Sequence, residues 1–299
     1  MKLKWDLLAI LFSLSSGANA QVGEVTSLFV QDSLKLISSN FKFTEGASVD
    51  KIGNVFFTDQ PNDQIWKYGV DGKLSLFLAK SGRANGTYFD KRGNLIICAD
   101  EDNEIRSVNP QGKVTLVFKN TIGAALNGPN DLWIDKSGGI YFTDPYYQRN
   151  YWVRQVPEIK GEKLYYLAKG SRELLTMDSS LVRPNGIVGS PDGKRLYVAD
   201  ALARKVYQYD IDKAGSLANK KVLLTQGSDG MTLDEHGNIY LTGRNGVDIY
   251  SAKGDHFGNI RIPEPHTSNL CFGGRNRDIL FITASKSIYI LPMKVSGVE

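Results

Sequence analysis

The feature that most constrains the fold is a short motif that recurs along the chain. Each copy holds an apolar run, a tight turn built on Asp-x-x-Gly or Pro-Asp-Gly, and a second apolar run, which is typical of a β-hairpin. The copies are VDKIGNVFFTD from Val49, FDKRGNLIICAD from Phe89, LNGPNDLWIDKSGGIYFTDP from Leu126, GSPDGKRLYVAD from Gly189 and LDEHGNIYLTG from Leu233.

A second hairpin follows most copies, so the repeating unit has four strands. The turn glycines recur at intervals of about 40 to 55 residues, the period of four-stranded propeller blades; they are Gly53, Gly93, Gly138, Gly193 and Gly237. A looser sixth copy, NLCFGGRNRDILFITASKSIYILPMK from Asn269, supplies only three strands. We therefore predict an all-β, six-bladed propeller over residues 21–299, closed by pairing the early segment SLKLISS with the last blade. A β-sandwich would not require so regular a period.

Composition limits the class of partner. The chain has 299 residues, of which 41% are hydrophobic and 23% charged, enough for a full core. Its net charge of +4 is spread thinly, with no basic run or basic helix that would follow a phosphate backbone. The sequence thus argues against nucleic acid as a partner and leaves the oligomeric state open.

The first twenty residues have the pattern of an export signal. Lys2 and Lys4 precede an apolar run from Leu7 to Leu14, and the small residues Ala18-Asn19-Ala20 suit cleavage before Gln21. A membrane anchor is the alternative, but the run is far shorter than the roughly 20 residues of a spanning helix. We expect an exported protein, periplasmic or secreted, with no membrane association after cleavage. Two cysteines, Cys98 and Cys271, lie in strand-like runs and are expected to be buried thiols, with a bridge between them as the alternative.

One column of polar residues stands in register with the turns. Stepping back eight residues from each turn glycine, or from Arg277 in the sixth copy, leads to an oxygen-bearing side chain every time: Glu45, Asn85, Asn130, Asn185, Asp229 and Asn269. The plain alternative is that Asn-Gly and Asp-Gly simply form turns at the start of a strand. That alternative explains Glu45 poorly. In a propeller the first strand of each blade lines the central channel, so the column should converge on the axis.

Two carboxylates and several amide oxygens around one point predict a cation between them. Oxygen donors suit calcium or magnesium, whereas zinc prefers histidine and thiolate, and none of the three histidines falls in the column. We expect calcium first, since an irregular cage suits its flexible coordination, with manganese or magnesium as alternatives.

The chain also resembles a known family over nearly its whole length after residue 20. The segments that carry the resemblance are FTEG at Phe43, GPNDL at Gly128, FTDPYY at Phe142, RPNGI at Arg183, SPDGKRLYVAD at Ser190, SDGMTLD at Ser228 and NLCFGG at Asn269. Together they look like the gluconolactonase family that includes regucalcin, and more distantly like paraoxonase and diisopropylfluorophosphatase. The resemblance implies a divalent cation held by Glu45, Asn185 and Asp229, with Asn130 as a further ligand or a substrate contact. Asn85 and Asn269 share the column and are expected to face the substrate.

The resemblance further implies hydrolysis of a sugar lactone to its hydroxy acid. A metal at the carbonyl would act as a Lewis acid, and a carboxylate would take the proton of the attacking water. Asp229 is the expected base, as the family suggests. Asp131 should point away from the axis by strand alternation and bond a neighbouring strand. His266 reads as an exposed loop histidine, although it stands close enough to Asn269 to reach the mouth of a pocket.

The longest insertion, PYYQRNYWVRQVPEIKGEK from Pro145, falls between the second and third strands of the third blade. Tyr146, Tyr147, Arg149, Tyr151 and Trp152 make it aromatic and cationic. Two interpretations stay open: a cover over the metal that contacts the sugar, with Tyr146 and Trp152 as substrate contacts, or a loop that packs on its own blade. Arg183 is a further candidate contact.

Three functions compete on these grounds. The first is a metal-dependent sugar lactonase. The second is an arylesterase or phosphotriesterase on the same metal site, and the third is a non-enzymatic propeller that binds a partner and uses calcium only to close its axis. The fold alone does not choose among them.

Overall fold

The structure, a computed structural model, describes residues 27–30, 33–120 and 123–298. These residues form six antiparallel sheets of four strands each, which confirms the predicted six-bladed β-propeller. The predicted signal segment 1–20 and its cleavage point lie outside the described residues. No helix in these ranges is long and apolar enough to cross a membrane.

Each blade is built from strands that are consecutive in the chain, apart from one strand of the last blade. The first four strands after β1 (Lys35–Ser38) form the first blade: β2 (Thr44–Val49), β3 (Val55–Asp59), β4 (Gln64–Tyr68) and β5 (Leu74–Leu78), with a short 3-10 helix at Gln60–Asn62. The second blade comprises β6 (Ala84–Phe89), β7 (Leu95–Ala99), β8 (Glu104–Val108) and β9 (Val114–Phe118). The third comprises β10 (Leu132–Ile134), β11 (Ile140–Asp144), β12 (Glu162–Leu167) and β13 (Leu174–Leu181).

The other three blades repeat this order. The fourth comprises β14 (Pro184–Gly189), β15 (Arg195–Asp200), β16 (Lys205–Lys213) and β17 (Ser216–Leu224). The fifth comprises β18 (Met231–Leu233), β19 (Ile239–Gly243), β20 (Gly246–Tyr250) and β21 (His256–Ile260). The sixth comprises β22 (Thr267–Gly273), β23 (Ile279–Ala284) and β24 (Ser287–Pro292), completed by β1.

The ring closes as predicted, by pairing β1 with β24. The two strands run antiparallel, with Lys35 opposite Ile290 and Leu36 opposite Tyr289. Without β1 the last blade would present the unpaired edge of β24, and edge strands invite pairing with other chains. The closure therefore supplies the fourth strand that the sixth copy of the repeat lacks.

The turns that define the repeat are held by their aspartates. In the first blade Oδ1 of Asp50 accepts hydrogen bonds from the backbone N–H groups of Ile52, Gly53 and Asn54, each at 2.9 Å. Gly53 adopts a left-handed conformation with φ of 105°, which glycine enters without steric cost. The Asp-x-x-Gly pattern thus fixes where β2 ends and β3 begins.

The apolar side chains are buried between adjacent blades. Phe57 of the first blade packs on Phe281 of the sixth, with ring centroids 5.4 Å apart, and Cys271 belongs to the same cluster. Cys98 lies in a different cluster between the second and third blades. Both cysteines are fully buried and neither forms a disulfide, which confirms the expectation of two buried thiols.

Candidate active site

The column of polar residues converges on one cavity. The innermost strands β2, β6, β10, β14, β18 and β22 contact their neighbours around the ring and bring the column to one end of the axis. There the structure has a cavity of about 830 Å³, within the usual range for small-molecule sites. Five of the six column residues line this cavity: Glu45, Asn85, Asn130, Asn185 and Asp229.

Threonines of the second strands hold the column in place from the neighbouring blade. The hydroxyl of Thr58 in β3 donates to the backbone carbonyl of Asn85 at 3.2 Å, and that of Thr143 in β11 donates to the carbonyl of Asn185 at 2.8 Å. These bonds join each second strand to the first strand of the next blade. They fix the backbone of the column residue and leave its side chain free to face the cavity.

Glycines that follow the column residues let the blades approach one another. A Cβ atom on Gly46 would lie 2.0 Å from the carbonyl oxygen of Asn85, and one on Gly186 would lie 2.5 Å from that of Asp229. Asn85 and Asn185 lie within strands β6 and β14, so Asn-Gly here is not a turn. The glycine is required because the next blade's backbone occupies the space of a side chain.

Glu45 is the most deeply buried charge of the column, with 5% of its surface exposed. Burial, followed by the charge of Asp229, raises the pKa of its carboxyl well above the ordinary value. Its Oε2 accepts hydrogen bonds from the backbone N–H of Gly46 at 3.0 Å and from Nδ2 of Asn269 at 3.4 Å. Asn269 itself does not line the cavity, since its Oδ1 is turned to the backbone N–H of Leu270. Asn269 therefore supports Glu45, whereas the sequence predicted that it would face the cavity.

Asp229 is paired with a histidine. Nε2 of His266 lies 2.6 Å from Oδ2 of Asp229, and both residues line the cavity. The hydrogen bond to Asp229 raises the pKa of His266, while partial burial and the charge of Arg244 act in the opposite direction. The His266 ring also stacks on Phe43, with centroids 6.2 Å apart. His266 is therefore part of the site, in contrast to the exposed loop residue that its sequence context favoured.

The three asparagines that line the cavity are buried, with 5 to 6% of their surface exposed. Nδ2 of Asn185 donates to the hydroxyl of Tyr147 at 3.3 Å. The side-chain amides of Asn85 and Asn130 make no hydrogen bond to any other residue that the structure describes. Both residues line the cavity, so these amides are available to a ligand there.

A divalent cation fits this donor set. Glu45 and Asp229 supply carboxylates, and Asn130 and Asn185 supply amide oxygens, which match the oxygen ligands of calcium. Over residues 27–30, 33–120 and 123–298 no three His, Cys, Asp or Glu side chains form a metal-holding group. The amides are thus needed to complete any coordination sphere here, and Glu45 forms no ion pair with any residue that the structure describes.

Asp131 lies outside the cavity. It is buried, and its carboxylate accepts the backbone N–H of Leu132 at 2.9 Å and that of Ile187 in the fourth blade at 3.4 Å. This agrees with the expected hydrogen bond between neighbouring strands.

The insertion of the third blade, residues 145–161 between β11 and β12, contributes different residues from those expected. Tyr147 and Arg149 line the cavity, whereas Tyr146 and Trp152 do not. Trp152 is 7% exposed because its Nε1 donates to the backbone carbonyl of Asp100 at 2.9 Å and the guanidinium of Arg154 covers its ring at 4.3 Å. The ring of Tyr146 likewise packs against Trp152.

Arg183 also differs from its expected place. Its Nε lies 3.0 Å from Glu162, and its guanidinium stacks on the ring of Tyr147 at 4.8 Å. It therefore stands behind a residue of the cavity wall and supports it. The sequence pointed to the correct loop, but it favoured Tyr146 and Trp152 over Tyr147 as substrate contacts, because adjacent residues in an irregular loop have no fixed period.

The insertion is anchored to the second blade by Asp100. This carboxylate is 2% exposed and lies 2.8 Å from Nε of Arg149, and it also accepts the hydroxyl of Tyr151. In the third and fourth blades the equivalent aspartates, Asp144 and Asp200, instead accept backbone N–H groups that precede their own first strands. The loop is thus a fixed wall of the cavity.

Comparison with known proteins agrees with this geometry. A family model described as the SMP-30/Gluconolactonase/LRE-like region matches residues 43–286. The chain is 30% identical over 300 residues to a gluconolactonase from Zymomonas mobilis, covering 90% of this chain and 84% of that protein. A solved structure of a gluconolactonase from Xanthomonas campestris gives a TM-score of 0.83 at 23% identity over 90% of this chain and 92% of that one. A regucalcin from Agrobacterium tumefaciens, described as a calcium-binding protein, gives 0.73 at 19% identity over 88% and 94% of the two chains. The two structural likenesses show a shared fold.

Proposed function

Since the chain belongs to the SMP-30/gluconolactonase/LRE-like family, we propose that it is a divalent-metal-dependent lactonase that opens a sugar lactone to its hydroxy acid. The observation that carries the proposal is the convergence of Glu45, Asn130, Asn185 and Asp229 on one cavity. Calcium is the proposed ion, because all four side chains offer oxygen and none offers nitrogen or sulfur. When bound, it supplies a Lewis acid that polarises the lactone carbonyl.

The chain's own residues account for the remaining chemistry. The oxygen of the attacking water bonds to the carbonyl carbon as one of its protons passes to the Asp229 carboxylate. The ring C–O bond then breaks, and the leaving oxygen takes that proton back from Asp229, which regenerates the carboxylate. His266 holds Asp229 from one side at 2.6 Å, so the carboxylate keeps one orientation. Tyr147 and the unpartnered amides of Asn85 and Asn130 offer hydrogen bonds to the hydroxyl groups of a sugar.

Acid release from glucono-δ-lactone tests the proposal. The protein is stripped with a chelator, assayed, and assayed again after addition of calcium, each time against a blank because this lactone also opens unaided. Turnover that is lost with the metal and restored with it supports the lactonase. No rate above the blank with calcium bound contradicts it, and a panel of aryl esters and phosphotriesters then separates a related hydrolase from a binding propeller.

We also propose that the protein works outside the cytoplasm, in the periplasm or as a secreted protein. The support is the signal pattern of residues 1–20. Expression of the full chain and N-terminal sequencing of the recovered protein test this, with Gln21 as the expected first residue. Recovery of the intact N-terminus from the cytoplasmic fraction would contradict it.

A further inference from the structure

Two arginines on the wall of the cavity have no counterion among the described residues. Arg204 lies in the turn between β15 and β16, and Arg244 lies in the turn between β19 and β20; both line the cavity and both are exposed. In the part of the chain that the structure describes, neither guanidinium forms an ion pair or donates a hydrogen bond to another residue. Arg149, the third arginine of the wall, is neutralised by Asp100 at 2.8 Å.

The carboxylate that this wall offers as a counterion is held by other residues. Asp248 lines the cavity, but its carboxylate accepts Nε2 of Gln226 at 2.7 Å and Nδ2 of Asn259 at 3.1 Å, and it pairs with His256 at 3.1 Å. The other carboxylates that line the cavity, Glu45 and Asp229, belong to the proposed metal site. Apart from the proposed metal ligands, the wall formed by the fourth and fifth blades thus carries two arginines against the single carboxylate of Asp248.

The backbone of Arg204 provides a second, independent observation. It has φ of 54°, in the left-handed region that costs a residue other than glycine, asparagine or aspartate about 1 kcal/mol or more. The residues at the same position, directly before the third strand, are Asp63 in the first blade and Asn103 in the second, which tolerate this conformation. Arg83 and Arg277 also adopt this conformation, but their guanidinium groups donate to backbone carbonyls. The Arg204 side chain lines a cavity instead, and together with the strained turn this indicates a function for it.

We propose that Arg204 and Arg244 form a subsite for an anionic group, a carboxylate or a phosphate, that the sugar lactone carries at a distance from its carbonyl. Arginine presents a planar fork of donors that matches both groups. That the substrate is a lactone rests on the proposed lactonase function, whereas the subsite itself concerns only the binding of an anionic group. The substrate class would then be acidic or phosphorylated sugar lactones, and neutral lactones would be weaker substrates.

Equilibrium binding tests the subsite without any turnover. Calcium-loaded protein is titrated by calorimetry with gluconate, glucarate and 6-phosphogluconate, which differ at the end of the chain remote from the first carboxylate. We expect glucarate or 6-phosphogluconate to bind at least about tenfold more tightly than gluconate, the effect of one charge-assisted contact. The double variant Arg204→Asn/Arg244→Gln should lose this preference.

The control is Arg92→Gln, which removes the same charge from a turn that lines a different cavity and should keep the preference. Arg204→Asn alone should melt at the same temperature as the wild type or higher, since asparagine relieves the strain, and a loss of binding in it is therefore not a loss of folding. Equal affinity for all three ligands, no binding of either glucarate or 6-phosphogluconate, or a preference that survives the double variant would overturn the subsite. Failure to open glucono-δ-lactone and the lactones of glucarate and 6-phosphogluconate, with the binding preference intact, would refute the lactonase and leave the subsite standing.

Discussion

Nε2 of His266 lies 2.6 Å from Oδ2 of Asp229, across the junction between the fifth and sixth blades. The two residues stand directly or almost directly before the innermost strands β18 and β22, so the propeller itself brings them together. Phe43 stacks on the imidazole from the first blade. Residues from three different blades thus meet at this pair.

Removal of the imidazole should impair turnover and spare metal binding. In His266→Ala, Asp229 keeps its carboxylate but loses the group that orients it, so we expect kcat to fall by roughly 10- to 100-fold, as for other partners of metal ligands. His266→Gln, which retains a donor, should recover part of the loss if the role is positioning. The matched control is His256→Ala, which breaks the exposed pair with Asp248 and should leave neutral-lactone turnover unchanged. Full activity in His266→Ala would refute the role.

Loss of either column carboxylate should weaken the binding of the metal ion. Glu45→Gln and Asp229→Asn each remove one of the two negative charges of the donor set, so calorimetric titration should show calcium affinity reduced by about tenfold or more. Asp248→Asn is the comparison, because it removes a carboxylate that lines the same cavity but is held by other partners. Unchanged affinity in both column variants would exclude the proposed cage.

Trp152 should matter for stability. Its side chain is buried against Arg154 and Asp100, and truncation of a buried tryptophan typically costs about 3–5 kcal/mol, so Trp152→Ala should unfold at markedly lower denaturant concentration. Tyr147→Phe removes only the hydroxyl that accepts from Asn185 and should keep stability while raising KM for the lactone. A stable Trp152→Ala protein with impaired turnover would return the loop to the substrate-covering role.

The buried aspartate of the third blade should give a pH-dependent stability. Burial raises the pKa of Asp144 to about 7, although the backbone N–H groups of Gly128 and Asn127 favour its charged form. The unfolded value is about 3.9, so the folded state binds this proton more tightly; the resulting stabilisation is present below about pH 4 and is lost as the pH rises through about 7. Urea unfolding should show the free energy of unfolding declining over this range and a flatter profile in Asp144→Asn. An Asp144→Asn profile with the same slope as the wild type would contradict the assignment.

The repeat made most of the fold predictable, because blade period, turn chemistry and strand pattern all point to the same ring. Glu45, Asn85, Asn130, Asn185 and Asp229 could be placed together because equal register in a closed ring means convergence. The rest depends on irregular segments. Tyr147 and Arg149, and not Tyr146 and Trp152, face the cavity because Asp100 of the second blade fixes the loop, and no periodicity encodes that contact.

His266 was misplaced for a related reason. Its segment, PEPH, reads as an exposed loop, and only the packing of the last blade against the first turns it toward Asp229 and Phe43. The glycines after the column residues, in contrast, could be seen in the sequence as Asn-Gly and Asp-Gly pairs. Such pairs are also typical of turns, so the sequence did not reveal that the glycines are needed for the close approach of two blades.

The contact between the first and sixth blades has a consequence for how the chain acquires activity. All four proposed metal ligands are synthesised by residue 229, yet Glu45 rests against Asn269, which is 224 positions away in sequence. A growing chain that already contains every ligand therefore still lacks the wall that buries the first of them. Contacts at such separation form late in folding, because the entropy of closing the loop must be overcome first. The chemistry is thus withheld until the last blade has been made and joined to the first, so a prematurely terminated chain would be inert.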